Sequence, residues 1–192
     1  IIAGLLEPDA GSVMLDGRDI TRLAPEKRDV NTVFQNYALF PHMNVEKNIA
    51  YGLKLRKLPR RVIDEKVREA AEILDITELL RRKPKALSGG QRQRILIARA
   101  LAGHPEILLL DDSSSALDYK TDAQLRNAIF SGYQDAAVIM VAQRVSSVMS
   151  ADLILVLEGG EVIGHGRHEE LLVTCPVYRE ISESQMGGAF LE

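Results

Sequence analysis

Residues 87–112 read LSGGQRQRILIARALAGHPEILLLDD, and they join a glycine-opened helix to an apolar strand that ends in two carboxylates. Ser88 stands at an N-cap position, Gly89 and Gly90 leave the next amides uncovered, and Gln91 starts a run without a helix breaker until Gly103. The first amides of such a helix have no acceptor inside it and its dipole is positive there. A phosphate therefore fits against the Ser88 hydroxyl and the glycine backbone. After Pro105, the segment from Ile107 to Leu110 is too short and too uniformly apolar for a surface helix, and it reads as a parallel strand buried on both faces. Asp111 and Asp112 fall at its carboxyl end, where open α/β sheets place ligands. Hard carboxylates at that position suit a magnesium ion and a water to be activated.

Toward the N-terminus, Val30 to Phe34 read as a second core strand that delivers Gln35. Between Gln35 and Leu87 apolar residues recur at helical spacing, first Val45, Ile49 and Leu53, then Ile63, Val67, Ala70, Ala71 and Leu74 after Pro59. Tyr37, Leu39, Phe40 and Met43 form an apolar stretch that reads as exposed, which suits a docking subunit better than a lone domain. Ile1 to Leu6 read as a helix cut open, and Ser12 to Leu15 as a strand closed by Asp16-Gly17. Toward the C-terminus, Leu117-Asp118 leads into a helix with Leu125, Ala128 and Ile129 on one side. Strands follow at Ala137 to Ala142 and Leu153 to Leu157, and Glu158-Gly159-Gly160-Glu161 makes a hairpin turn into Val162-Ile163. Short helices open at His168 and Val177.

Four of these segments, in this order and spacing, resemble the nucleotide-binding domain of ATP-binding cassette (ABC) proteins. Leu87 to Gln91 match the family signature, Ile107 to Asp111 the Walker B strand, Ser115-Ala116-Leu117-Asp118 the D-loop, and Gln35 in Val33-Phe34-Gln35-Asn36 the Q-loop. The resemblance implies an α/β fold of the P-loop NTPase kind, a parallel sheet flanked by helices with an inserted helical subdomain. Residues 1–35 and 89–174 would form the α/β core, 36–88 the helical subdomain with the signature at its end, and 175–192 a C-terminal helix and tail. It also implies ATP and magnesium as ligands, with Ser88, Gly89, Gly90 and Gln91 gripping the γ-phosphate bound to an opposite subunit. Asp111 would order the magnesium ion, Gln35 would address that ion and the attacking water, Asp112 would stand at the general-base position, and Gln143 beside the γ-phosphate. Asp118 would face the partner domain. The implied partners are a second nucleotide-binding domain and a transmembrane transporter domain, at the cytoplasmic face of a membrane. The insert between Gln35 and Leu87 is short, which speaks against the chromosome and DNA-repair ATPases that carry a long coiled coil there.

Three departures from the family pattern bear on activity. The phosphate loop G-x-x-x-x-G-K-[ST] does not occur in these 192 residues, so no lysine of this sequence reaches the β- and γ-phosphates. ATP binding in cis should be close to lost, and the missing loop strand should leave an exposed sheet edge. Asp112 replaces the family's glutamate; a side chain shorter by about 1.5 Å retreats from its water, and general-base help is worth roughly 10²–10⁴-fold. Gln143 replaces the switch histidine and can donate a hydrogen bond but cannot titrate. Aspartate at one site and glutamine at the other resemble the impaired half of heterodimeric ABC exporters, whose signature completes the partner's competent site. Residues 30–58 resemble importer ATPases, whereas residues from about 105 onward resemble exporters. A hybrid of two domains and drift within one family both remain open.

Composition narrows the classes. The 192 residues, 46% of them hydrophobic, suffice for one domain with a real core. No apolar run approaches twenty residues, and the N-terminal stretch lacks the charged start of a signal peptide. A formal charge of −3 argues against a nucleic-acid surface, and Arg81, Arg82, Lys83 and Lys85 read as a solvated face. Cys175 is the single cysteine, and His42, His104, His165 and His168 are not spaced as metal ligands. Three readings follow. The first is a transporter ATPase domain, impaired in cis and acting through its signature. The second is a non-catalytic fragment or hybrid that keeps only the fold. The third is a soluble ABC ATPase of translation or repair.

Overall fold

The computed structural model describes residues 1–34, 39–113, 117–133 and 135–187. The chain divides into two compact units, Ile1–Val141 and Ala142–Glu192.

The first unit opens with a two-stranded hairpin, β1 (Met14–Leu15) and β2 (Arg18–Asp19). Asp16 (φ 46°) and Gly17 (φ 73°) make its turn, both in the left-handed region that a tight hairpin demands. Behind it lies Arg28, only 6% exposed. Its guanidinium donates to four backbone carbonyls: Nε to Leu23 at 2.8 Å, Nη1 to Ile1 at 2.7 Å and Ile2 at 2.8 Å, and Nη2 to Thr21 at 2.8 Å. Gly4 leaves room for this side chain, since a Cβ there would lie 2.7 Å from Nε.

Three parallel strands form the sheet, in the order β3 (Val30–Val33), β4 (Ile107–Asp111), β5 (Ala137–Val141). Register pairs Val33 with Leu110 and Leu110 with Met140, and this set of side chains meets the main core. The other set differs from the expectation of a strand buried on both faces: Ile107 and Leu109 are half-buried, Ile139 is 38% exposed and Val141 58%. Among the described residues Leu108 and Leu110 are fully buried, and the side chains on the opposite side of the sheet are not. A uniformly apolar run reports that both faces avoid polar groups, and it does not report whether a neighbour lies on each.

Helices α1 (Val45–Ile49), α2 (Tyr51–Leu55) and α3 (Arg60–Ile73) occupy the stretch after β3, where helical spacing had been read. α3 buries Ile63, Val67, Ala70 and Ala71 on one side. The fully buried Asn48 accepts from Phe40 N at 2.8 Å and donates to the carbonyls of Phe40, Met43 and Asn44, pinning the preceding loop. The apolar stretch there is less exposed than expected. Leu39 packs on the core, and Phe40 is half-buried with its ring 4.5 Å from that of Tyr51; Tyr37 lies outside the described residues. α4 (Gly89–Leu101) runs through the core with Ile95, Leu96, Ile97 and Ala98 all buried, and α5 (Tyr119–Gly132) packs inward through Leu125 and Ile129.

The second unit holds α6 (Val145–Val148), the hairpin β6 (Ile154–Glu158) and β7 (Glu161–Gly166), α7 (His168–Thr174) and α8 (Pro176–Gly187). Gly159 and Gly160, at φ 59° and 88°, make the hairpin turn as read. Its core joins Val145, Ile154, Val156, Leu171, Cys175 and Tyr178. Cys175 is buried, and His168 Nδ1 shares a 2.8 Å hydrogen bond with the Tyr178 hydroxyl, so both residues are packing elements here. Among the described residues no helix is long and apolar enough to cross a membrane.

Candidate phosphate-binding site

Ser88 caps α4 with backbone angles of −68° and 167°. Its Oγ accepts from Gln91 N at 3.2 Å while Gln91 Oε1 accepts from Ser88 N at 3.0 Å, a reciprocal capping box. Ser88 Oγ and Gln91 Oε1 act as acceptors within the cap, which leaves the Ser88 O–H and the Gln91 side-chain NH2 as donors. Gly89 and Gly90 follow the cap, and their amides have no carbonyl four residues back within α4. They stand at the positive end of a 13-residue helix. Arg92 Nη1 donates to Leu87 O at 2.7 Å and holds the loop that enters the cap. A Cβ on Gly90 would touch Leu117 Cδ2 at 3.4 Å, so the start of α4 and the segment entering α5 lie side by side.

Asp118 is the N-cap of α5. Oδ1 accepts from Thr121 N at 2.8 Å and Oδ2 from the Thr121 hydroxyl at 2.7 Å. These bonds, the backbone one foremost, hold its carboxyl below the usual aspartate value. The cap therefore stabilises α5 above the ordinary carboxylate pKa and is lost as pH falls through the depressed value. Amide exchange at Thr121 and Asp122 should accelerate across that acidic window. In Asp118→Asn, which caps without a charge, the pH dependence should vanish. An unchanged acid profile in the Asn variant would assign the transition to another group.

Asp111 is exposed at the carboxyl end of β4, and Asp112 follows at φ 44°, its N donating to Val141 O at 2.9 Å. Aspartate tolerates this left-handed conformation better than most residues, and it turns the chain sharply out of the sheet. Among the described residues no cluster of three His, Cys, Asp or Glu side chains is placed to hold a metal. Two adjacent carboxylates nevertheless fit magnesium, which binds through one or two carboxylates, phosphate oxygens and water.

Gln143 is exposed on the second unit. Its carbonyl accepts from Gln185 Nε2 at 2.8 Å, while Gln185 Oε1 accepts from Val145 N at 2.8 Å. Gln185, on α8, thus fastens the loop that carries Gln143 with both ends of one amide. Nothing in its local sequence marks it, because the partners lie 40 and 42 positions away. Gln35, Ser115 and Ala116 lie outside the described residues. The structure brings Ser88, Gly89 and Gly90 to one helix start and Asp111 and Asp112 to one strand end, with Asp118 beside the former through Leu117.

A second concave feature lies in the first unit, a groove of about 370 Å³ lined by Phe34, Phe40, Tyr51, Leu96, Arg56 and Arg99 among others. The Arg99 guanidinium sits 5.6 Å from the Phe40 ring centroid, and burial lowers its pKa.

A three-stranded parallel sheet with helices, a capped glycine helix start and carboxylates at a strand end defines an α/β nucleotide-binding class of domain. Residues 1–115 match the family model for ABC transporters. The chain belongs to this ABC transporter family, as an ATP-binding domain. It is similar to the molybdate/tungstate import ATP-binding protein WtpC of Thermococcus kodakarensis, 57% identical over 127 residues covering 66% of this chain and 38% of that protein. It is also similar to the spermidine/putrescine import ATP-binding protein PotA of Haemophilus influenzae, 42% identical over 174 residues, 89% of this chain and 47% of that protein. Among solved structures, a bacterial Atm1-family ABC exporter with ATP bound superposes with a TM-score of 0.78 at 29% identity, covering 96% of this chain and 33% of that one. The chain thus spans less than half the length of these curated relatives.

Proposed function

We propose that this chain is the signature-contributing half of an ABC transporter ATPase, with its own catalytic site impaired, and that it acts on ATP held by a second nucleotide-binding domain. The observation that carries the reading is the capped start of α4, where the amides of Gly89 and Gly90 head the helix beside Leu117 and Asp118. In this reading Ser88, Gly89, Gly90 and Gln91 contact the partner's γ-phosphate, and Asp118 faces the partner. Asp111 would hold magnesium, and Asp112, Gln35 and Gln143 would serve the chain's own weakened site. A bound magnesium ion supplies charge neutralisation at the phosphates. The transmembrane partner would seat on the groove lined by Phe40, Tyr51 and Arg99, placing the domain at the cytoplasmic face of a membrane. The test is ATP turnover by a loop-competent partner domain with and without this chain. Stimulation that depends on mixing supports the reading, and robust turnover by this chain alone overturns it.

A second reading, a hybrid or fragment that keeps the fold and does no chemistry, draws on its joint similarity to import ATPases and to an exporter. Both readings expect this chain alone not to bind Mg·ATP at micromolar concentrations, because the loop nest and lysine that carry phosphate recognition are not in its sequence. Calorimetric titration should give no saturable isotherm in that range; a low-micromolar isotherm would refute the expectation.

A further inference from the structure

Residues 54–61, KLRKLPRR, span the end of α2 and the start of α3 and carry five cations and no acid, in a chain whose formal charge is −3. The backbone holds this turn in one shape, with Leu58 N donating to Leu53 O at 3.3 Å and Lys57 in the left-handed region at φ 55°. Leu53 is buried and Leu58 packs against the main core, so both leucines face inward. The third, Leu55, is 67% exposed. Arg56 anchors the turn, its Nη1 donating to Gly103 O at 3.2 Å and its Nη2 lying 3.6 Å from Asp29 Oδ1. Lys54, Lys57, Arg60 and Arg61 are exposed. Of these four, among the described residues, only Arg60 has an ion pair, to Asp64 at 3.8 Å with side chains 95% and 55% exposed, a contact worth little.

Local stability does not account for these charges. Arg60 and Arg61 open α3, where the helix dipole disfavours cations, and neither an acid in the first turn nor a side-chain cap from Pro59 offsets them. Whatever else the protein places nearby, a cluster of cations without counter-charges is costly to bury and ends in water or against anions.

We propose that this turn is a membrane-contact site, in which Lys54, Lys57, Arg60 and Arg61 meet the headgroups of anionic lipids and Leu55 enters the interfacial layer. A chain of net negative charge is repelled as a whole by an anionic surface, so the attraction is local and fixes which side faces the bilayer. The leucine decides between occupants. An acidic protein segment would answer the four charges alone, whereas a bilayer interface offers anions and an apolar layer together. Long lysine and arginine stems lie along that layer while their heads stay at the phosphates. Arg56 lines the groove described above, so the contact site borders it. The inference rests on the charge and exposure of this turn and not on the trans-signature reading.

The chain should sediment with vesicles of phosphatidylcholine containing phosphatidylserine and not with vesicles of phosphatidylcholine alone, and high salt should release it. A cation near an anionic surface strengthens binding about fivefold, so replacing Lys54, Lys57, Arg60 and Arg61 together by alanine should weaken it by about 10²–10³-fold. Circular dichroism and melting check that this variant folds. Replacing Arg81, Arg82 and Lys83 by alanine removes three cations elsewhere and should leave binding unchanged, which separates the turn from net charge. Leu55→Ser should weaken binding to the phosphatidylserine vesicles while keeping its salt dependence. Absence of binding, equal binding to both vesicles, or equal losses in the two alanine variants would overturn the proposal. Unchanged binding by Leu55→Ser together with displacement of the chain by polyglutamate would assign the turn to an acidic protein instead. None of these measurements involves ATP, so their failure leaves the trans-signature reading standing.

Discussion

Gly89→Glu should abolish the stimulation of a loop-competent partner, lowering the mixed turnover by about 10²–10³-fold, the scale of losing a preorganised donor at a transferring phosphoryl group. The glutamate acts in three ways at once. It puts a side chain where the backbone must approach a phosphate, brings a negative charge to the γ-phosphate, and spends the positive end of α4 on its own carboxylate. The helix itself should survive, because the capping box runs between Ser88 and Gln91 and does not use the Gly89 side. Folding of the variant is checked by its melting curve. Asp112→Glu and Gln143→His are the matched controls. Both lie outside the α4 start, and in the proposed arrangement both serve this chain's own site, so the partner's turnover should change by less than about twofold. A Gly89 variant that stimulates like the parent would remove the basis of the trans reading. Equal losses in all three variants would instead point to a general defect in association.

The largest stability effect is expected at Arg28. Its buried guanidinium donates to the carbonyls of Ile1, Ile2, Thr21 and Leu23, tying the N-terminal residues to the turn after β2. Hydrogen bonds to a charged group are worth about 1.5–3 kcal/mol each, and losing four together with the packing of a buried side chain is expected to cost about 3–5 kcal/mol. For a chain of this size that corresponds to a fall in melting temperature of roughly 6–20 °C, and total stability is on the order of 5–15 kcal/mol. Arg28→Ala should therefore unfold readily in urea titrations. Arg28→Lys should recover only part of the loss, since one ammonium cannot span the four directions of a planar fork. Arg28→Met keeps most of the volume and isolates the hydrogen bonds from the packing. A shift below about 1 kcal/mol in Arg28→Ala would show that water or the neighbouring backbone replaces the clamp.

How much of this was legible beforehand depends on the sequence distance over which each feature is built. The capping box spans four residues, and the serine, two glycines and glutamine in it are adjacent in the chain. The apolar stripe of α3 and the Gly159-Gly160 turn are local in the same sense, as is the strand that ends in Asp111. Side-chain period, capping geometry and left-handed turn residues are properties of neighbouring positions, so composition and spacing determine them. The same locality explains why the segments proposed as signature, Walker B strand and D-loop could be picked out by reading along the chain.

Other features are joined only by the tertiary path. Arg28 reaches back 26 and 27 residues to Ile2 and Ile1, and Gln185 reaches 40 and 42 residues to Val145 and Gln143. Neither side chain differs locally from an exposed arginine or glutamine, because a hydrogen bond to a distant carbonyl leaves no periodic trace. The left-handed backbone of Asp112, whose N–H donates to Val141 O on the neighbouring strand, was likewise decided by the fold. The apolar run from Ile107 to Leu110 determined that a strand would form and that its side chains would shun water. Which of its two faces was covered depended on what packed there, and only the fold placed Leu108 and Leu110 in the core while leaving Ile139 and Val141 exposed beside Leu109.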